Sequence, residues 1–214
     1  MRNNSIGDQY YSQDRSAMLP FVPATAKFIL EVGCANGSFG EKIKTRQDCC
    51  YYGIEPHELS AAKAATKLDQ VFNCFFENAP IPAGMQFDCI VFNDVLEHLP
   101  DPWLALRTCQ RLLGPNGVIV CSIPNFLYWP VLRGIVVNRD WVHTEWGVLD
   151  RTHRWFFTPK SMRRMMHSTG YKVVQMEGMK KYKSRAFGLI NFMLMKKLED
   201  YRYMQFALVC KMDQ

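Results

Sequence analysis

The 214-residue sequence has no apolar run long enough to cross a membrane. The nearest candidate, residues 186–195, falls well short of the roughly 18 residues that suggest a spanning helix. The N-terminal segment contains no apolar stretch typical of a signal peptide. The eight cysteines form no CxxC pair and lie mostly within apolar runs, which argues against a disulfide framework and against a zinc site. These absences predict a cytoplasmic protein for which only peripheral contact with a membrane stays open.

Internal repeats, low-complexity linkers and a separate RNA-binding module are also lacking, so we expect one domain over residues 1–214 and no nucleic-acid partner. Charge is unevenly distributed. Residues 1–150 hold 12 Lys and Arg against 16 Asp and Glu, whereas residues 151–214 hold 14 against 4. A basic C-terminal third fits an anionic partner, such as a phosphate on the acceptor, and it fits a solvated face equally well.

Strand-like and helix-like stretches alternate along the chain. Apolar runs predict strands over residues 28–32, 50–54, 70–76, 87–93, 118–122, 171–177 and 203–211. Helical patterns, capping residues and turn residues predict helices over residues 38–45, 59–67, 101–113 and 159–168, with a turn at 114–117. Alternation at this spacing is typical of an α/β fold with a doubly wound parallel sheet and helices on both faces.

A glycine-containing loop, FILEVGCANGSFG over residues 28–40, follows the first predicted strand. Its third glycine is misplaced for a dinucleotide fingerprint, and Glu31 precedes Gly33, where a carboxylate would repel a pyrophosphate. An acid at this point suits a cationic ligand, such as an amino-acid ammonium group or a sulfonium. Glu55, at the end of the second strand, can accept hydrogen bonds from both hydroxyls of a ribose. An adenosine that carries an amino acid and no phosphate meets both demands, which predicts S-adenosylmethionine (SAM) as the cofactor.

Together with YYGIEP, FDCIVFNDVLEHLPDP and LLGPNGVIVCSIPN, this loop resembles class I SAM-dependent methyltransferases, in the broad group that includes the ubiquinone-biosynthesis enzymes. Residues 141–158, WVHTEWGVLDRTHRWFFT, and the N-terminal segment YYSQDR are similar to bacterial methyltransferases found with glycan and O-antigen biosynthesis. The resemblance implies a mostly parallel, seven-stranded Rossmann-like sheet with an antiparallel last strand. It also implies an N-terminal lid over residues 1–24 and an acceptor-side lid insertion over residues 125–158, between the fifth strand and its helix.

The resemblance also implies a cofactor-binding role for individual residues. Glu31 is expected near the methionine amino group, and Glu55 is expected to hold the ribose. Asn93 and Asp94 are expected along the methionine side, with Leu96 bordering the methyl group. The other expected cofactor residues are Tyr11 and Arg15 in the N-terminal segment, Gly33, Ala35 and Gly37 in the loop, Pro56 beside the adenine, and Phe76 and Glu77 after the third strand.

Transfer of a methyl group to a hydroxyl needs in-line alignment and gains from a general base. His153 is our first choice for this base, with Asp150 as the residue that orients it. His98 and His143 are the further candidates. A structural hydrogen bond is an equally good explanation for any one of these histidines, and for His98 a loop-fixing role is the better one.

The leading hypothesis is therefore O-methylation of a small-molecule or glycan hydroxyl, with no metal expected and with a monomer or homodimer as the assembly. Two alternatives stay open. Asp94, Glu97, His98 and His153 together resemble the ligands of metal-assisted RNA 2′-O-methyltransferases. The chain could also be a SAM-binding regulator that has lost catalysis.

Overall fold

The fold was analysed in a computed structural model, which describes residues 15–213. Its strands in chain order are β1 (Phe28–Val32), β2 (Cys50–Ile54), β3 (Gln70–Phe72), β4 (Phe87–Asn93), β5 (Leu113–Pro124), β6 (Tyr171–Lys181) and β7 (Tyr203–Met212). They form one sheet in the spatial order 3-2-1-4-5-7-6. β7 runs antiparallel to β5 and β6, and the other pairings are parallel. The predicted mostly parallel seven-stranded sheet with an antiparallel last strand is confirmed.

Six α-helices flank the sheet in the described part of the chain: α1 (Ser38–Arg46), α2 (Glu58–Ala65), α3 (Pro102–Leu112), α4 (Trp129–Asn138), α5 (Pro159–Ser168) and α6 (Arg185–Met193). The start of α3 is fixed by Asp101, whose carboxylate accepts the Leu104 N–H. The start of α5 is fixed by a reciprocal capping box between Thr158 and Ser161. Both helices begin with proline, whose missing N–H costs nothing in the first turn. None of the described helices is long and apolar enough to span a membrane.

Two apolar cores cover the two faces of the sheet, because side chains along each buried strand alternate between faces. Leu30 of β1 and Ile90 of β4 point into one core, which α3 and α5 close with side chains such as Leu106 and Met166. The other core lies beneath α1 and α2. It contains Ile29, Val91, Phe39, Ile43 and Ala64.

The pairing register brings three strand ends to the same level. Val32 at the end of β1 is paired with Ile54 of β2 on one side and with Phe92 of β4 on the other. The loops that follow these strands therefore meet at one edge of the sheet. This is the carboxyl edge, where ligands bind in open α/β sheets.

Three predicted boundaries are wrong by several residues, and one of them is the end of β6, which lies at Lys181 rather than at residue 177. The third strand ends at Phe72 rather than at residue 76, because its pairing with β2 stops at Ile54 and a short 3-10 turn follows (Phe76–Asn78). The turn expected at residues 114–117 belongs to β5 instead, and the β4–β5 register shifts beside it. Gly117 permits this pairing, since a Cβ atom there would lie 2.8 Å from the Phe87 carbonyl oxygen.

The sequence patterns missed four further elements. Neither α4 nor α6 was predicted; α4 has no fully buried residue and α6 buries only Phe187 and Asn191, so neither carries the usual apolar stripe. The third is a 3-10 turn at Glu199–Arg202, and the fourth is a 3-10 turn at Ser16–Phe21. This turn buries Met18 and Phe21 in the core beneath α1, so residues 16–22 pack as core and not over the carboxyl edge, where we expect a lid from residues 1–24.

Candidate functional site

A cavity of about 630 Å³ opens at the carboxyl ends of β1, β2 and β4. This volume lies within the usual range of small-molecule and cofactor sites. Eight of the thirteen predicted cofactor residues line it: Arg15, Gly33, Ala35, Glu55, Pro56, Phe76, Glu77 and Asp94. Tyr11 lies outside the described residues. We refer to this space as the glycine-loop cavity.

The loop after β1 is held by its own backbone. The N–H groups of Gly33 and Cys34 donate to the Ile54 carbonyl oxygen at 2.8 and 3.1 Å. Gly33 has φ +71°, and a Cβ atom there would lie 2.7 Å from a methyl carbon of Val95. Glycine is therefore required both by the backbone conformation and by the close approach of the neighbouring loop. Ala35 also has a positive φ, 49°, which strains a residue with a side chain.

Glu55 is almost fully buried at the tip of β2. One carboxylate oxygen accepts the Ala35 N–H at 2.9 Å, and the other accepts the His57 N–H at the same distance. These bonds fix the side chain between the glycine loop and the start of α2. Each oxygen retains a second lone pair, so the carboxylate can still accept hydrogen bonds from a ligand in the cavity.

Glu31 and Asn93 lie beneath the loop rather than in the cavity lining. The Glu31 carboxyl accepts hydrogen bonds from the Tyr51 hydroxyl at 3.1 Å and from the Asn93 side-chain amide at 3.0 Å. Complete burial raises the pKa of Glu31 to about 7, although Arg15 and both donors oppose the shift. Gly37, as the N-cap of α1, and Leu96, in the core, also lie outside the lining. None of these four residues is among those that line the cavity, so a cofactor contact for them stays a prediction.

A second cavity, of about 410 Å³, adjoins the first. Arg15, Asp94 and His98 line both cavities, so these residues mark where the two spaces meet. Asp94 is anchored at this junction by Ser122, whose hydroxyl donates to its carboxylate at 2.7 Å. The predicted catalytic residues Asp150 and His153 line this second cavity, which we call the acceptor-side cavity.

His98 and His153 face each other edge to face, with ring centroids 4.7 Å apart. His98 Nδ1 lies 3.1 Å from the Thr152 hydroxyl oxygen, which itself donates to Asp150 at 2.7 Å. His153 Nδ1 lies 3.2 Å from the Val148 carbonyl oxygen. Both Nδ1 atoms therefore act as donors, which leaves Nε2 as the proton-accepting nitrogen of each ring. Burial lowers the pKa of both histidines, so the neutral form is favoured.

The predicted pairing of Asp150 with His153 is wrong. The Asp150 carboxylate is turned towards Thr152, whose backbone N–H and hydroxyl both bond to the same oxygen. Since Thr152 in turn contacts His98, hydrogen bonds connect the acid to the other histidine of the pair, whereas Asp150 acts on His153 through its charge, which opposes the lowering of the pKa of that ring by burial. His153 is oriented by the Val148 carbonyl group instead.

Glu97 also lines the acceptor-side cavity, and its side chain is buried. Within residues 15–213 neither of its carboxyl oxygens has a hydrogen-bond partner, and one lies 3.9 Å from His153 Nε2. Burial, and next the charge of Asp94, raise the pKa of Glu97 well above its ordinary value. Glu97, His98 and His153 each offer a ligand atom within 4.8 Å of the others, so this cluster could hold a metal ion.

Comparison with known proteins identifies the family of the chain. A family model described as a methyltransferase domain matches residues 5–176. The chain belongs to the class I SAM-dependent methyltransferases. The resemblance seen in its glycine loop is confirmed, and SAM is its cofactor.

Two curated relatives of this methyltransferase are ubiquinone biosynthesis O-methyltransferases. A ubiquinone biosynthesis O-methyltransferase from Dinoroseobacter shibae is 29% identical over 178 residues, which cover 79% of this chain and 68% of the relative. A protein of the same name from Neisseria meningitidis is 28% identical over 162 residues, covering 72% and 67%.

Solved structures share the fold of this methyltransferase. A SAM-dependent methyltransferase from Archaeoglobus fulgidus superposes with a TM-score of 0.69 at 17% identity and covers 96% of this chain and 94% of its own. A plantazolicin methyltransferase in complex with a triazolic desmethylPZN analogue and SAH has a TM-score of 0.66 at 12% identity, with coverage of 97% and 90%.

Several lining residues of the methyltransferase are not among the predicted site residues. In the glycine-loop cavity these are Phe75, Asn78, Val95, Leu99, Pro100 and Arg154. In the acceptor-side cavity they are Pro124, Trp146, Gly147, Lys180, Met204 and Gln205. Lys180, Met204 and Gln205 belong to β6 and β7, and no local pattern marks them because the sheet order alone brings them to this edge.

Proposed function

We propose that this methyltransferase binds SAM in the glycine-loop cavity and transfers its methyl group to a hydroxyl of a small molecule in the acceptor-side cavity. The observation that carries the proposal is the junction at Arg15, Asp94 and His98, which joins two cavities of ligand size. A methyl group presented there would face an acceptor on the opposite side. In-line displacement requires such an alignment and gains most of its rate from it.

The cofactor roles follow the predicted assignments where the residues line the cavity. Glu55 accepts the ribose hydroxyls, with Pro56, Phe76 and Glu77 on the adenine side. Glu31 acts from beneath the glycine loop, where its carboxyl accepts a hydrogen bond from the Asn93 side-chain amide.

The acceptor is proposed to be a ring-bearing hydroxyl compound. Trp146 and Met204 offer apolar contact in the acceptor-side cavity, whereas Lys180 and Gln205 offer polar contact, and Lys180 can meet a phosphate. The names of the curated relatives support a hydroxylated aromatic ring. The similarity of residues 141–158 to glycan-associated enzymes supports a sugar hydroxyl, so both classes belong in the first assay.

The general base is proposed to be a histidine of the facing pair. His153 is the residue favoured by the sequence, and it lines the acceptor-side cavity. His98 is the second candidate, and the structure adds a reason for it: this residue borders both cavities, and its tautomer is fixed by Thr152. In this scheme Asp150 is a positioning residue that holds Thr152.

The matched variants His98→Gln and His153→Gln show which of the two histidines is the general base. The base is the histidine whose replacement by glutamine lowers kcat by roughly 10²–10⁴ while SAM affinity stays near wild type. Thr152→Val serves as the positioning control, because it removes the hydroxyl between Asp150 and His98 and should shift the pH profile of kcat. If kcat stays at the wild-type value in both glutamine variants, the general base is not a histidine of this pair.

The proposed activity itself is tested with radiolabelled SAM and a panel of acceptors, including prenylated catechols and nucleotide-linked sugars. Label transferred to a hydroxyl of one class supports the proposal and identifies the acceptor. SAM binding by calorimetry without transfer to any acceptor class would favour the catalytically inactive regulator.

A second candidate is metal-assisted methyl transfer. The observation that favours it is the cluster of Glu97, His98 and His153, in which the buried Glu97 carboxyl has no hydrogen-bond partner among the described residues. Activity that is lost with EDTA and restored by Mg²⁺, Mn²⁺ or Zn²⁺ supports this mechanism. Unchanged activity in EDTA supports metal-free transfer.

We also propose that residues 1–214 act as one catalytic domain, with residues 125–158 on the acceptor side. Two contacts support this arrangement: the N–H groups of Arg154 and Trp155 donate to the Glu97 carbonyl oxygen at 2.9 and 3.1 Å. The insertion is thereby tied to the loop after β4. We propose an N-terminal lid only for the residues that precede the buried turn at Ser16–Phe21.

A further inference from the structure

The helix α6 presents its apolar side chains to solvent. Its inward face is formed by Phe187 and Asn191, which are both buried. Asn191 is held by Glu199, whose carboxylate accepts its amide at 2.7 Å, and by the Leu198 N–H at 2.9 Å. The helix is thus anchored by a polar side chain, which reverses the usual arrangement of a surface helix.

Six large apolar side chains in the C-terminal half of α6 and directly after it are exposed: Leu189, Ile190, Phe192, Met193, Leu194 and Met195. Phe192 is 74% exposed and Met195 is 83% exposed. Large apolar side chains that are exposed together in one short segment are typical of sites of interaction with another protein or with a membrane. We call these six residues the α6 surface.

Cations flank the α6 surface on both sides. Lys181, Lys183 and Arg185 precede it and Lys196 and Lys197 follow it, and all five side chains are exposed. Residues 179–198 contain no Asp or Glu. A twofold contact between two copies would place these cations against each other, because a symmetric dimer uses the same patch twice. The charge therefore disfavours a second copy as the occupant.

We propose that the α6 surface docks on an anionic lipid bilayer, with the apolar side chains in the interfacial layer and the flanking lysines against the headgroups. An exposed apolar face bordered by lysine is the pattern of helices that lie in a membrane interface. Lys180, at the end of β6, lines the acceptor-side cavity and lies in the same basic segment. Docking would therefore bring that cavity close to the bilayer. The proposal does not depend on which acceptor is methylated.

The test is sedimentation of the full chain with vesicles of phosphatidylcholine alone and of phosphatidylcholine with phosphatidylglycerol. Binding is expected to the anionic vesicles, to weaken with added salt, and to be absent with neutral vesicles. The double variant Phe192→Ser/Met195→Ser should bind at least about tenfold more weakly. Leu59→Ser/Leu104→Ser is the matched control, since it changes two exposed leucines on α2 and α3, and it should bind like the wild type.

Three results would overturn the proposal. The first is no binding to anionic vesicles by a wild-type protein that binds SAM. The second is equal binding by wild type and the Phe192→Ser/Met195→Ser variant, with both variants shown to be folded by circular dichroism. The third is a dimer in light scattering that this variant converts to monomer, because a second copy would then occupy the α6 surface.

Discussion

The replacement Glu31→Gln tests the buried acid beneath the glycine loop. Glutamine has the shape of a protonated glutamic acid, and it cannot ionise. Burial raises the pKa of Glu31 from 4.5 to about 7. A difference of about 2.5 pH units, at about 1.36 kcal/mol per unit, corresponds to about 3 kcal/mol of folding free energy.

The direction of the effect follows from proton binding. Between pH 4.5 and pH 7 the folded protein holds the Glu31 proton more tightly than the unfolded chain does. This contribution to stability is fully present below pH 4.5 and is lost as the pH rises through 7. The glutamine side chain of the variant has no such loss, so Glu31→Gln should gain stability relative to the wild type by about 2–3 kcal/mol between pH 5 and pH 8.

Urea unfolding of the apo protein at pH 5, 6, 7 and 8 measures this difference. The free energy of unfolding of the variant is compared with that of the wild type at each pH. Glu97, His98 and His153 also have shifted pKa values in the folded state, and their contributions cancel in this difference because both proteins contain them. Glu58→Gln, on the exposed first turn of α2, is the control for the loss of one negative charge. If the difference in unfolding free energy between Glu31→Gln and the wild type stays constant from pH 5 to pH 8, the raised pKa of Glu31 is refuted.

Three further predictions concern the cofactor site. Glu55→Gln should weaken SAM binding by about 1–3 kcal/mol in calorimetry, because the ribose hydroxyls would lose charged acceptors; unchanged affinity would contradict the ribose assignment. Ala35→Gly should stabilise the apo protein by up to about 1 kcal/mol in urea unfolding, because it relieves the positive φ of 49°, and a less stable variant would show that no strain is stored there. Deletion of residues 1–14 should weaken SAM binding and leave the melting temperature of the apo protein nearly unchanged, whereas a large drop in that temperature would assign this segment to the core.

Most of the cofactor side could be predicted from the sequence. The glycine loop, Glu55 and Asp94 each follow a buried strand, and consecutive parallel strands carry such loops to one edge. Capping residues such as Asp101 and Thr158 also act on their own helices within three residues. These sequence patterns act over a few neighbouring residues, so they can be recognised without knowledge of the fold.

The acceptor side was decided by the tertiary structure. β7 inserts between β5 and β6, and this non-local pairing brings Lys180, Met204 and Gln205 to the carboxyl edge. The same holds for the histidine pair, because His98 and His153 lie 55 positions apart and meet only where the insertion bonds to the Glu97 backbone. Spacing in the sequence suggested that Asp150 orients its neighbour His153, whereas the turn at Thr152 directs the carboxylate to the other histidine. The sequence by itself thus determined the strands that carry the cofactor-binding loops and the cofactor that these loops receive. The long-range packing determined which side chains face the acceptor, since contacts between distant segments leave no periodic pattern in the sequence of either segment.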